Sequence, residues 1–177
     1  MRKRGGLIAI VALGGVFAFA MLAASGVAGS QKNKQTTSNR MTGYQEVPAV
    51  SSLHAKGTIE LSIHSATIDY KLSYSGLSSA AVAAHIHFGQ RDVNGGVSAF
   101  LCSGGDKPAC PASGTVTGTI DAADIIGPAG QGIAAGEIGE LIAAIKAGVA
   151  YANVHSTIFP GGEIRAQIKA KNGDDDD

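Results

Sequence analysis

The sequence predicts an all-β domain, an Ig-like or Greek-key antiparallel β-sandwich with one short amphipathic helix before its last two strands. Three observations carry that prediction. Several segments alternate apolar and polar residues with the period of two that a half-buried strand requires. The composition, 45% apolar but only 5% aromatic, with 25 Gly and no Trp, describes a light core of Ala, Val, Ile and Leu joined by many tight turns. A single stretch, Glu137 to Ala147, switches to helical spacing, with Ile138, Leu141, Ile142 and Ile145 at i, i+3, i+4 and i+7. At 177 residues the chain is expected to form one domain with tails.

The first element is not part of that domain. Arg2-Lys3-Arg4 precede an uncharged stretch from Leu7 to Gly29. Residues 1–29 therefore read as an export signal peptide, with the small residues Val27-Ala28-Gly29 placed for cleavage and a mature start at about Ser30. The alternative is a retained N-terminal membrane anchor, because the stretch approaches the roughly 20 apolar residues that span a bilayer. Either way the domain faces outward. No Cys near the stretch's end offers a lipid attachment point. The whole chain carries 14 basic and 14 acidic residues; without Arg2, Lys3 and Arg4 the balance is 11 to 14, a net of −3, and no basic patch invites nucleic acid.

Residues 30–40 are polar and without period, and are expected to form a flexible linker to a domain over 41–170. Met41 to Pro48 reads as a short edge segment, ended by a proline that cannot donate to a ladder. Ile59, Leu61 and Ile63, then Ile68, Tyr70, Leu72 and Tyr74, alternate with polar residues across a turn near Ser65 and predict a hairpin. His54 and His64 fall on its polar side and are expected to be solvated. After Gly76 comes a strand in which Val82, Ala84, Ile86 and Phe88 share one face while Ala83, His85 and His87 share the other. The apolar face should be core, so two imidazoles project side by side toward solvent, a cleft or an ion. Asn94-Gly95 in the following turn tolerates positive φ. Val97 to Ser103 is the next strand.

Cys102 and Cys110 are the only cysteines, lie eight apart and follow an export signal, so a disulfide closing a local loop is expected. Thr115, Thr117 and Thr119 mark a further strand, and Asp121 to Ile126 a capped helical turn ended by Pro128 and Gly130. The helix over Glu137–Ala147 should bury Leu141 and Ile145 across an end of the sandwich, with Gly148 as its stop. Val149 to Ser156 and Glu163 to Ala170 return to strand around Pro160-Gly161-Gly162. Residues 171–177 form an acidic tail without the ligand spacing of a calcium loop.

Two readings of the chemistry follow from these residues, and a third depends on the second. The first is a non-catalytic binding or structural module: no complete nucleophile, base and oxyanion set is present, and a sheet face or a free strand edge is available to an extracellular protein or cell-wall ligand. The second is a copper or zinc site in which His85, His87 and a remote His155 converge, with Asn153, Glu163 and Arg165 as supporting partners. Glu163 and Arg165 share a strand face by period two, which fits a surface or half-buried ion pair. A metal-dependent oxidoreductase would need that site and redox turnover as well.

The chain resembles the chordin-type (CHRD) domain family. Thr42-Gly-Tyr-Gln-Glu-Val-Pro48 is similar to that family's opening motif, Ala84-His-Ile-His-Phe-Gly89 to its central histidine strand, and Tyr151-Ala-Asn-Val-His155 through Pro160-Gly-Gly-Glu-Ile-Arg165-Ala-Gln167 to its closing motif. The resemblance implies a secreted β-sandwich module and no particular activity. Growth-factor binding belongs to the multidomain chordin, whose cysteine-rich modules have no counterpart in this sequence. A looser resemblance links His85-Ile86-His87 to the copper strand of copper-zinc superoxide dismutases. The dismutases' further histidine run with its zinc-binding aspartate has no match here.

Overall fold

The computed structural model describes residues 34–35 and 39–169. The segments read as signal peptide and acidic tail lie outside them. Nine strands and one α-helix are formed among the described residues: β1 (Lys34–Gln35), β2 (Asn39–Met41), β3 (Lys56–Ile63), β4 (Ile68–Ser75), β5 (Ala81–Phe88), β6 (Gly96–Cys102), β7 (Gly114–Ile120), α1 (Ile138–Lys146), β8 (Ala150–Ser156) and β9 (Ile164–Gln167). They build two antiparallel sheets. One has the order β1-β3-β4-β7, with β2 also paired to β3, and the other has the order β6-β5-β8-β9. After β5 and β6 in the second sheet the chain returns to place β7 beside β4, and β8 then comes back beside β5, so the sandwich is laced by Greek-key connections. Among the described residues no helix is long and apolar enough to cross a membrane.

The core follows from the alternation. Ile59, Leu72 and Val116 lie in register across the first sheet, as do Ile63, Ile68 and Ile120, and all are buried. Small residues answer them from the second sheet, where Ala84, Ala99, Ala152 and Ala166 are buried around Ile86 and Val154. Large against small is how two inner faces interdigitate without voids. Gly118 shows the same fit, because a Cβ there would stand 2.6 Å from the Tyr70 hydroxyl. That hydroxyl crosses the core to donate to the Leu101 carbonyl at 2.7 Å.

Several sequence expectations are realised. The β3–β4 hairpin pairs Ile63 with Ile68 as the alternation requires. Asp121 caps a 3-10 turn at Ala122–Asp124, and its partner Asp124 closes a capping box. Helix α1 buries Leu141, Ile142, Ala144 and Ile145. Cys102 and Cys110 form the disulfide. Replacing both cysteines with Ala is expected to lower stability by about 2–3 kcal/mol, the loop-closure value for so short a ring; denaturant melts of the double variant against the oxidised protein measure it.

The structure departs from the sequence reading in four places. Lys34–Gln35 and Asn39–Arg40, inside the predicted linker, pair end to end along the outer edge of β3, where backbone hydrogen bonds compensate for an aperiodic sequence. The edge strand then stops at Met41, not Pro48, because Gly43–Gln45 turn into a 3-10 helix. In the loop after β5 the left-handed residue is Asp92 (φ 62°), while Gly95 serves close approach: a Cβ there would lie 1.7 Å from the Phe88 carbonyl oxygen. Val82 is 44% exposed, so the apolar face of β5 reaches the core through Ala84 and Ile86, with Phe88 packed at the margin.

Candidate metal centre

Three elements bring the site together on the outer face of the second sheet. In register across β5, β8 and β9, His87 pairs with Tyr151, His85 with Asn153, and Asn153 with Arg165. His155, two residues beyond Asn153, shares its face. Irregularities in the β5–β6 ladder fall on either side of His85 and Ile86, where a bulge can re-aim side chains. Thr42 forms a two-way backbone bridge to Arg165, each N–H donating to the other's carbonyl at 3.1 Å. This bridge carries the chain from the edge of the first sheet onto the second, and the following turn lays Glu46 over the polar face. Gly43 permits the crossing, since a Cβ at that position would be 2.3 Å from the Val50 carbonyl oxygen.

The face expected to meet solvent, a cleft or an ion is therefore covered. His87 is 7% exposed and His155 9%, and His85 is half-buried. The imidazoles contact one another: His85 Nδ1 lies 3.0 Å from His155 Nε2, and the His85 ring meets His87 and His155 edge-on at centroid distances of 5.4 and 4.8 Å. His87 stacks on Tyr151 at 4.6 Å and 6°. Above the other face of Tyr151 sits the Arg165 guanidinium, 3.4 Å from the ring centre.

Hydrogen bonds fix the protons. His87 Nδ1 is 3.0 Å from the Gly95 carbonyl and His155 Nδ1 is 2.9 Å from the Pro160 carbonyl. A carbonyl only accepts, so both rings carry the proton on Nδ1 and turn an Nε2 lone pair inward. The His87 Nε2 is buried with no hydrogen-bond partner. One nitrogen from each of the three histidines lies within 4.8 Å of the others. Two nitrogens on one zinc or copper ion, each about 2.1 Å from it, are at most about 4.2 Å apart and about 3.3 Å apart in a tetrahedron, so a pair at the 4.8 Å limit has to close by about 0.6 Å at least and about 1.5 Å for a tetrahedral site.

The predicted supporting residues divide. Asn153 Oδ1 stands 3.0 Å from His155 Nε2, against the histidine cluster. Arg165 is 2% exposed and donates to the Gln90 and Val93 carbonyls at 3.2 and 3.0 Å, bracing the loop whose Gly95 holds His87. Glu163 is buried, but its carboxylate accepts from Ser52 Oγ at 2.6 Å and the Ser78 N–H at 2.7 Å. The expected surface or half-buried pair of Glu163 with Arg165 is not formed, because Glu163 precedes β9 and turns to the Ser52 and Ser78 loops while Arg165 stacks on Tyr151. Of the two histidines expected to be solvated, His54 is exposed and His64 is half-exposed and meets Asp69 at 2.9 Å. Glu46 and Tyr151 were not assigned to the site from sequence. Both partner residues remote in the chain, and Glu46 sits in a segment without periodicity.

A profile of the CHRD domain matches residues 37–168. The chain belongs to the CHRD domain family. No curated protein and no solved structure matches it. The CHRD match takes in every described strand except β1, and the histidine cluster lies wholly within it.

Burial sets the charge state of this CHRD site. Desolvation, with the mutual repulsion of the cluster, brings His85 down to about pKa 3. Desolvation likewise takes His87 to about 4, against the pull of the Gly95 hydrogen bond, and lowers His155. Glu46 moves the other way: burial raises it to about 7 despite Arg165 and Asn153. The signs of the stability changes follow. Each lowered histidine is neutral in the fold but protonated in the unfolded chain below about 6.5, so its contribution is present above that pH and is lost as pH falls toward 4. Glu46 opposes this, since a raised carboxyl contributes stability at low pH that is lost as pH rises from about 4.5 through 7. Three protons outweigh one. The metal-free domain is expected to lose stability on acidification from pH 6.5 to 4, and Glu46→Gln is expected to steepen that loss; urea midpoints across this range read both effects.

Proposed function

We propose that this CHRD domain is a non-catalytic binding module whose ligand is a transition-metal ion, copper or zinc, held by His85, His87 and His155. The observation that carries the reading is the buried, unpartnered Nε2 of His87, in a cluster where one nitrogen of each of the three histidines lies within 4.8 Å of the others. A buried acceptor without a donor costs about 1–3 kcal/mol. A cation at the convergence point removes that cost. Both imidazoles also donate their other N–H to a backbone carbonyl, the arrangement that orients histidine ligands. With all three rings neutral near pH 7, their lone pairs are available to a metal without loss of a proton.

Copper and zinc are favoured because imidazole suits both, and no carboxylate is among the three converging ligands. Export by residues 1–29, as a cleaved signal or a retained anchor, completes the proposal, and the Cys102–Cys110 disulfide supports an oxidising compartment. The test is stoichiometric. Purified protein equilibrated with zinc or copper and then dialysed should carry one ion per chain by elemental analysis; a content well below one ends this reading.

A further inference from the structure

The three imidazoles leave one position of a tetrahedral ion to be filled, and a protein atom already stands beside it. We propose that the amide oxygen of Asn153 is the fourth donor, so that the centre is a closed three-nitrogen, one-oxygen site that holds its ion and leaves no position for an exogenous ligand. This rests on the metal reading above.

The argument is one of unmatched lone pairs. His155 Nδ1 gives its proton to the Pro160 carbonyl, so His155 Nε2 can only accept. Yet Asn153 Oδ1, also an acceptor, is placed 3.0 Å from it. On its other side Asn153 lies close enough to the buried Glu46 carboxylate, which is 6% exposed, to lower its pKa. Asn153 is also close enough to His87 to influence it, although His87 Nε2 has no hydrogen-bond partner of its own. Three acceptors thus lie in one cluster, and among the described residues the donor placed against them is His85 Nδ1, 3.0 Å from His155 Nε2. A cation satisfies all of them together once the His85 proton moves to its other ring nitrogen. The spacing fits as well. Donors on a tetrahedral zinc or copper ion stand about 3.3 Å apart, so both 3.0 Å contacts of His155 Nε2 need only a slight opening. Structural sites of this kind are closed, whereas catalytic ones keep a position for water or substrate. Glu46, acting through Asn153, is a positioning residue.

The experiment uses the full chain loaded with Cu(II), in wild type, Asn153→Ala, Asn153→Asp and Glu46→Ala forms, with affinity, copper EPR and azide titration as readouts. Wild type should bind copper and show no azide charge-transfer band. Asn153→Ala should bind 10- to 100-fold more weakly and take up azide at the vacated position. Glu46→Ala should move the EPR spectrum toward that of Asn153→Ala, a change that a simple loss of folding stability does not produce. Asn153→Asp keeps size and an oxygen donor, so it tests the point even if the alanine variant fails to fold. It should hold copper at least as tightly, exclude azide and show altered EPR parameters, because a charged oxygen replaces a neutral one. Wild-type copper that binds azide overturns the closed centre, and an Asn153→Asp spectrum identical to wild type overturns the fourth ligand, both while sparing the three histidines. No copper uptake by wild type overturns both.

Discussion

His87→Gln is expected to abolish the rise in melting temperature that zinc or copper gives the wild-type protein. A ligand that binds only the folded state stabilises it by RT ln(1 + [L]/Kd), about 2.7 kcal/mol at a free concentration 100 times Kd, which amounts to several degrees for a domain of this size. Glutamine keeps a polar group near the same place but has no imidazole lone pair to offer, and two remaining histidines make a poor site for either ion. The metal-free variant should itself be weaker by about 1–2 kcal/mol, since the substitution gives up the stack on Tyr151 and the bond to the Gly95 carbonyl. His85→Gln separates the two effects: His85 is half-buried, so its folding cost should be smaller while the loss of metal response is the same. Calorimetric melts of the three proteins, with and without metal, decide the matter. A full metal-dependent rise in His87→Gln would remove this histidine from the site.

Ile86→Ala should destabilise the domain by about 2–5 kcal/mol, with or without metal. Ile86 is completely buried, and its partners in register on both sides are Ala99 and Ala152. Alanines cannot reach into the vacated volume, so the cavity persists and the cost should fall in the upper half of that range. Urea unfolding at pH 7 measures it. A loss below about 1 kcal/mol would mean that the inner face of β5 is not where the core packs. The contrast between neighbours is informative, because Ile86 faces hydrocarbon and His87 faces a buried polar layer. Both substitutions should therefore cost stability, but only the second should erase the response to metal.

How far the site could be read in advance differs from residue to residue. The pairing of His85 with His87 on one face is visible in a period of two, and the addition of His155 needed only the guess that its strand lies beside theirs. Asn153 is legible for the same reason, two residues before His155. Arg165 was placed near the site, but its stack on Tyr151 and its bracing of the 90–94 loop depend on a loop conformation that periodicity does not encode. Glu46 gave no signal at all: its role depends on the Thr42–Arg165 bridge, between residues far apart in the chain.

The sequence by itself determined the strands of the central hairpin, the helix, the local disulfide and which residues of β5 share a side, because each depends on neighbours a few positions away. Only the tertiary structure decided what that side meets. Alternation separates two faces of a strand but does not say that the polar one is solvated, and here the segment after β2 and the loop after β5 are drawn over it by Arg165 and Thr42. Covering that face is what desolvates the three histidines, strips His87 Nε2 of any partner and turns a row of strand residues into a candidate metal centre. Burial is a property of the whole packed chain, and it is burial that gives these imidazoles their chemistry.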